Sequence, residues 1–166
     1  MKFNYKYSTP NFSDRHGTEI DTILLHHTGG DAPGCMEWLC SNESKVSAHY
    51  VIVKNGDIYK LLQPEKCAWH AGRGAYDLNR DGTISEDEKH FNRRSIGIEL
   101  ESMGDQYTYI QKIACIELCI NLMLDHIRIK HNKILGHKEI APGRKWDPNN
   151  FNMEKFRNLI KTYWEI

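Results

Sequence analysis

The sequence predicts an α/β domain in which a central mixed β-sheet is flanked by helices. Its 166 residues match the size of one ordinary domain. Apolar residues make up 40% of the chain and charged residues 27%, as in globular proteins. Strand-like and helix-like segments alternate, which is typical of mixed sheets covered by helices. Neither a repeat nor a low-complexity linker interrupts this pattern, so residues 1–166 are expected to form a single domain.

Short apolar runs predict the strands of this sheet. The runs TILLHHT (22–28) and SIGIELE (95–101) have the length and apolar character of buried strands. The segment SAHYVIVKNGDIYKLLQ (47–63) contains two strand-like runs around an Asn-Gly-Asp turn, a strong hairpin signal. The run KILGH (133–137) is expected to be a further strand that ends in a histidine.

Three longer segments predict helices. CMEWLCSN (35–42) is expected to form a short helix, and residues 107–130 one long helix with apolar residues at helical spacing. The segment NMEKFRNLIKTYW (152–164) is expected to form the last helix, with Asn152 as its N-cap.

The charge balance and the N-terminal sequence limit which binding partners and which cellular compartment are expected. Lys plus Arg and Asp plus Glu both count 22, which argues against a broad electrostatic surface for nucleic acid. The first residues contain no apolar signal region and no run has the length of a membrane span, so no membrane insertion is expected. We therefore expect synthesis in the cytoplasm, reduced cysteines and a monomeric protein.

One set of residues has the chemistry of a hydrolytic metal site. His26 and His137 end two predicted strands, and Asp147 lies on the loop after His137. Two histidines and an aspartate can hold Zn²⁺ and leave one position free for water. Glu99 lies in an otherwise apolar strand, where it could serve as a general base, and Lys145 could stabilise an oxyanion. From the residues alone, a hydrogen-bonded core histidine and a buried ion pair stay open for His26 and Glu99.

Four ordered segments add a resemblance to a known family. They are STPNFSDRHGTEIDTILLHHTGG, VSAHYVIVKNGDIYKLLQPEKCAWHAG, NRRSIGIELES and ILGHKEIAPGRKWDP. From residue 8 to about residue 160 the chain resembles the zinc-dependent N-acetylmuramoyl-L-alanine amidases of the Amidase_2 type, a superfamily that includes the peptidoglycan recognition proteins. The resemblance implies a central mixed sheet with helices on its faces. It also implies hydrolysis of the amide between N-acetylmuramic acid and L-alanine in peptidoglycan.

The resemblance also implies individual roles. By position, His26, His137 and Asp147 match the zinc ligands of the family. Glu99 matches the carboxylate that acts on the zinc water, and Lys145 matches the lysine that stabilises the oxyanion.

Three further residues match positions along the family's peptidoglycan groove. They are His49, Trp69 and His70. His27, which stands beside the first ligand at a position where the family tolerates other residues, is a fourth candidate for substrate binding. For His27 a hydrogen-bonding role in the pocket wall is favoured. A core hydrogen bond for His49 and plain core packing for Trp69 stay open.

The segment DLNRDGTISEDE (residues 77–88), which we name the acidic loop, matches the calcium-loop pattern D-x-[DN]-x-[DN]-G-x₅-E at every position. Ca²⁺ prefers six to eight oxygen ligands around such a turn. The expected ligands are Asp77, Asn79, Asp81, the carbonyl of Thr83, and Glu88. We expect the region of about 75–90 to be an insertion beside the groove. A solvated acidic loop without metal is the alternative.

These observations leave three functional interpretations. The first, which the expected lack of a signal peptide and the single-domain size favour, is a phage-type endolysin that stays in the cytoplasm and cleaves the cell wall after its release. The second is a cytoplasmic amidase that recycles anhydro-muropeptides. The third, a non-catalytic peptidoglycan-binding module, agrees least with the presence of all three ligands together with Glu99 and Lys145.

Overall fold

A mixed β-sheet forms the centre of the computed structural model, which describes residues 1–79 and 81–164 without the side chains of Asp87 and Glu88. The strands are β1 (Phe12–Ser13), β2 (Thr22–His27), β3 (Tyr50–Ile52), β4 (Ile58–Lys60), β5 (Cys67–Ala68), β6 (Ser95–Leu100) and β7 (Ile134–Gly136). Within the described residues the main sheet has the order β4-β3-β6-β2-β7, and β1 pairs with β5 separately. Only β4 of the main sheet runs antiparallel to its neighbour, which confirms the predicted mixed sheet.

Helices cover this sheet. They are α1 (Gly34–Leu39), α2 (Glu86–Lys89), α3 (Phe91–Arg94), α4 (Tyr109–Asp125), α5 (His137–Ile140) and α6 (Met153–Trp164), with a 3₁₀ turn at His131–Lys133. Asn152 caps α6 as predicted, because its Oδ1 accepts a hydrogen bond from the Lys155 amide at 2.8 Å. In the part of the chain that the structure describes, no helix has both the length and the apolar character needed to cross a membrane.

Several predicted boundaries were wrong, among them the end of α1, which stops at Leu39 rather than Asn42. The long helix ends at Asp125 rather than near Lys130, because the chain turns there to bury Ile129 while Ile127 stays 78% exposed. The strand predicted to end at His137 stops at Gly136, and His137 begins α5 instead. Because β7 stops at Gly136, the His137 side chain lies just beyond the end of the strand.

Strand alternation divides the sheet into two unlike faces. Ile23 and Leu25 of β2 pack into the larger core cluster, together with residues of α4 and α6. Leu24 points to the opposite face and packs with Phe91 and Ile140. His26 shares the parity of Leu24, and its register partner in β6 is Glu99. His26 and Glu99 therefore lie side by side on the face opposite α4 and α6.

A buried ion cluster joins the starts of three parallel strands. Asp21 precedes β2, and its Oδ2 lies 2.5 Å from Nη2 of Arg94 and 3.1 Å from Nζ of Lys133. Burial alone would raise the pKa of Asp21, but the contacts with Arg94 and Lys133 outweigh it and hold this pKa below its ordinary value. The resulting stabilisation is present above the unfolded-state pKa of about 4 and is lost as the pH falls through the folded-state pKa.

We expect Asp21→Ala to lower the free energy of unfolding at neutral pH by about 3–5 kcal/mol, because two buried cations lose their partner. Urea denaturation measures this change, and the difference from the unmodified protein should shrink below about pH 4. Asp14→Ala is the matched control, because Asp14 pairs with Lys66 at 3.1 Å but is 75% exposed. A loss of about 1 kcal/mol or less is expected there. Equal losses in both variants would contradict the assignment.

Candidate active site

Three potential ligand atoms converge at the carboxyl ends of the parallel strands. Nδ1 of His26 lies 3.0 Å from Nδ1 of His137. Oδ2 of Asp147 lies 2.9 Å from the first nitrogen and 3.0 Å from the second. Among the described residues, this trio is the group of His, Cys, Asp and Glu side chains whose ligand atoms are close enough to share a metal ion. The structure thus brings together the three residues expected as ligands.

The donor set of this trio fits a zinc ion. Burial lowers the pKa of His26 to about 4, so its imidazole is neutral at pH 7 and offers a lone pair. Burial would raise the pKa of Asp147, but hydrogen bonds to His137 and His26 outweigh it and hold this pKa well below its ordinary value. Each Nδ1 atom carries at most one proton, so the two histidines cannot supply a proton to all three contacts, whereas a cation between these atoms satisfies them together. Two nitrogens and one oxygen, with one side open, form the donor set of a catalytic zinc site.

Backbone contacts hold residues 141–147 against α5. The amide of Lys138 donates to the carbonyl of Asp147 at 2.8 Å, and the amide of Lys145 donates to the carbonyl of Ala141 at 3.0 Å. These two contacts fold residues 141–147 back over the end of β7. Asp147 thereby reaches His137 although it lies ten positions further along the chain.

Glu99 is the carboxylate next to this trio. Its Oε2 is buried and has no hydrogen-bond partner in the part of the chain that the structure describes. Burial, and then the neighbouring charge of Asp147, raise the pKa of Glu99 to about 8, while Lys145 opposes the rise. Glu101 differs, because its two carboxylate oxygens accept the amides of Ala32 and Lys54 at 2.8 and 2.7 Å. An unpartnered carboxylate with a raised pKa has the properties of a proton-transfer group.

The trio and Glu99 open into one cavity of about 290 Å³. Lys145 lines this cavity, as expected for a residue that faces a reacting carbonyl. Trp38 and Trp146 also line it and are 56% and 70% exposed. Sequence reasoning overlooked both tryptophans, although Trp146 stands directly between Lys145 and Asp147. Exposed aromatic side chains at a pocket rim can stack on a ligand.

A family model described as N-acetylmuramoyl-L-alanine amidase matches residues 16–150. The chain belongs to this amidase family. The matched range includes His26, His137 and Asp147, as well as Glu99 and Lys145.

Individual relatives of the amidase family match over much of the chain. The 1,6-anhydro-N-acetylmuramyl-L-alanine amidase AmpD of Haemophilus influenzae is 32% identical over 121 residues, which cover 72% of this chain and 61% of that protein. The N-acetylmuramoyl-L-alanine amidase AmiD of Escherichia coli is 31% identical over 163 residues, or 89% of this chain and 55% of that protein. The chain therefore spans less than two thirds of the length of these relatives.

Solved structures of amidases confirm the predicted fold class. A crystal structure of AmpD superposes with a TM-score of 0.77 at 25% identity and covers 96% of this chain and 99% of the AmpD chain. Escherichia coli AmiD in complex with anhydro-N-acetylmuramic acid-L-Ala-D-γ-Glu-L-Lys superposes with a TM-score of 0.66 at 26% identity. The AmiD match covers 93% of this chain and 60% of that chain.

The four residues expected along the groove have different locations. His27 lines the cavity, and its Nδ1 accepts the Asn149 amide at 3.1 Å, which agrees with a hydrogen-bonding wall residue. His70 lines the cavity as well. His49 is fully buried and accepts the Gly97 amide at 2.9 Å, so the core alternative describes it better than contact with substrate. Trp69 borders a separate cavity of about 260 Å³ and donates to Ser13 Oγ at 3.3 Å.

The acidic loop is closed by hydrogen bonds of its own. The two carboxylate oxygens of Asp77 accept the amides of Asp81 and Gly82 at 3.1 and 2.7 Å. Gly82 has a positive φ of 87°, as the sharp turn requires. Oδ1 of Asp81 accepts the amide of Thr83 at 2.9 Å. The side chain of Glu88, the expected closing ligand, lies outside the described residues. Calcium binding by Asp77, Asn79, Asp81, Thr83 and Glu88 therefore stays a prediction.

Proposed function

We propose that this protein hydrolyses the amide bond between N-acetylmuramic acid and L-alanine with the help of one zinc ion. The observation that carries the proposal is the convergence of His26, His137 and Asp147 in one cavity with Glu99 and Lys145. Membership in the amidase family supports the reaction type.

The chain's own residues would divide the chemistry as follows. A zinc ion held by the trio would supply Lewis acidity toward the scissile carbonyl and toward a water molecule. Glu99 accepts a proton from that water at a carboxylate oxygen as the carbon–oxygen bond forms, and then delivers it to the departing L-alanine nitrogen as the carbon–nitrogen bond breaks. The ammonium group of Lys145 stabilises the negative charge that develops on the carbonyl oxygen.

The substrate we propose is a soluble anhydro-muropeptide, and we propose that it is processed in the cytoplasm. The sequence alone favoured an endolysin that acts on the intact wall. The relatives favour the recycling alternative, since AmpD is described as a 1,6-anhydro-N-acetylmuramyl-L-alanine amidase. The AmiD complex likewise contains an anhydro-N-acetylmuramic acid peptide.

Paired assays distinguish the two substrate classes. The purified protein is incubated with anhydro-N-acetylmuramoyl-tripeptide and, separately, with intact purified peptidoglycan, and products are followed by mass spectrometry and turbidity. We expect release of free tripeptide from the soluble fragment and little clearing of the intact wall. Rapid clearing of the wall without cleavage of the fragment would restore the endolysin interpretation.

We also expect the acidic loop to bind Ca²⁺ and thereby to raise the melting temperature. Saturation at about 100 times the dissociation constant would stabilise the protein by about 2.7 kcal/mol. Calorimetry of EDTA-treated, zinc-reloaded protein with and without Ca²⁺ measures the shift. Asp81→Asn should reduce the shift, whereas Glu43→Gln, at an exposed glutamate outside the loop, should preserve it. An unchanged melting temperature in the unmodified protein would refute calcium binding.

A further inference from the structure

His70 lies between a metal-site histidine and a serine at the start of β6. Its Nδ1 is 3.0 Å from Nε2 of His26, and its Nε2 is 3.2 Å from Oγ of Ser95. The rings of His26 and His70 meet edge to face, with centroids 5.1 Å apart. Both ring nitrogens of His70 are thus engaged within the protein. This is an arrangement for orienting a neighbour rather than for contacting substrate.

The serine sets the direction of the hydrogen bonds. The hydroxyl of Ser95 donates to the carbonyl of Phe91, so its oxygen is left to accept a hydrogen bond from His70. Nε2 of His70 must then carry the proton, and Nδ1 of the neutral ring is an acceptor. His26 donates to that acceptor from Nε2, which leaves its own Nδ1 unprotonated toward His137 and Asp147.

We propose that His70 is a positioning residue that holds His26 in the Nε2-protonated tautomer and so presents the Nδ1 lone pair to the metal. The inference rests on the proposed zinc site. Hydrogen-bonding partners of this kind fix the tautomer and the ring orientation of metal-binding histidines. His70 then acts through His26. This positioning role replaces the substrate-groove role that the resemblance implied for His70.

The packing around His70 is specific for a ring in this place. A Cβ atom at position 97 would lie 2.5 Å from Cγ of His70, so Gly97 leaves the space that the imidazole occupies. Oδ1 of Asn92 accepts the amides of His70 and Ala71 at 3.2 and 2.7 Å and fixes the backbone of this segment.

The same segment also orients the second histidine. Nε2 of His137 lies 3.2 Å from the carbonyl of Ala71, a contact that leaves Nδ1 of His137 free for the metal. The side chain of His70 and the carbonyl of Ala71 therefore set the tautomers of His26 and His137.

Substitutions at His70 separate hydrogen bonding from packing. In His70→Asn, the side-chain Oδ1 lies near the place of the His70 Nδ1 and can accept a hydrogen bond from Nε2 of His26. In His70→Gln, the side-chain amide lies near the place of the His70 Nε2 instead. His70→Leu has no hydrogen-bond acceptor. Zinc affinity is measured by competition with a chelator. We expect His70→Gln and His70→Leu to bind zinc about 10-fold to 100-fold more weakly, and His70→Asn to stay within about 3-fold of the unmodified protein. Equal affinity in all three variants, or an equal loss in all three, would overturn the proposal.

The tautomers themselves give a second measurement that needs no substitution. Nitrogen NMR of the zinc-loaded protein should show His26 and His70 both protonated at Nε2. A proton on Nδ1 of His70 would overturn the inference. If the unmodified protein takes up no zinc, the proposed function fails together with this inference. If it binds zinc through His26 but His70→Leu binds equally well, only the inference fails.

Discussion

Glu99→Gln is expected to lower kcat by about 100-fold to 10,000-fold, the range that general acid–base catalysis contributes. The amide has nearly the shape of the carboxylate but cannot accept the proton of a water molecule. Glu99 is suited to this task because its Oε2 is buried and has no hydrogen-bond partner among the described residues, and because burial and the charge of Asp147 raise its pKa and so make the carboxylate a stronger base. The zinc content of the variant should equal that of the unmodified protein, because Glu99 is not part of the metal trio.

A carboxylate elsewhere in the protein controls for the loss of one charge. Glu117 is exposed on α4, which packs on the opposite face of the sheet. Glu117→Gln should leave kcat and KM unchanged. Hydrolysis of the soluble muropeptide, followed by chromatography alongside metal analysis, measures both variants. If Glu99→Gln turned over at the normal rate with zinc bound, the general base would have to be another group.

Replacement of any one metal ligand should have the largest combined effect on activity and metal content. We expect His26→Ala, His137→Ala and Asp147→Ala each to lose most of the bound zinc and with it nearly all hydrolysis. Two donors rarely retain a zinc ion, since protein sites supply at least three. The variants should also lose the rise in melting temperature that added zinc gives the unmodified protein, because that stabilisation depends on metal affinity.

His131→Ala is the matched control for these ligand variants. His131 lies in the 3₁₀ turn before β7, at the opposite end of this strand from the trio. This variant should keep its zinc, its activity and its zinc-dependent melting temperature. A ligand variant that retained one zinc per chain in mass spectrometry would contradict the assigned trio.

Much of the site could be predicted because its residues lie at the ends of recognisable strands. β2 and β6 are apolar runs, and the period of two places His26 and Glu99 on one face. The carboxyl ends of parallel strands meet at one edge, which brings His137 near His26. Asp147 reaches the same point through the loop after α5.

The features that were not predicted depend on distant pairs of residues. His70 contacts Ser95, which is 25 positions away in the sequence, and His26, which is 44 positions away. Local sequence patterns do not predict contacts between residues so far apart in the chain. For His49 the sequence left the core and groove alternatives open, because its hydrogen bond to the Gly97 amide lies in a neighbouring strand and depends on the sheet order. The strands β1 and β5 have only two residues each, too few for a periodicity to appear.

The location of the zinc ion tests the central claim most directly. Crystals of the zinc-loaded protein, measured at wavelengths on either side of the zinc absorption edge, give an anomalous difference map. The proposed site predicts one strong peak bounded by Nδ1 of His26, Nδ1 of His137 and Oδ2 of Asp147. A map with no peak between these atoms, or with its zinc peak at another place such as the acidic loop, would contradict the account.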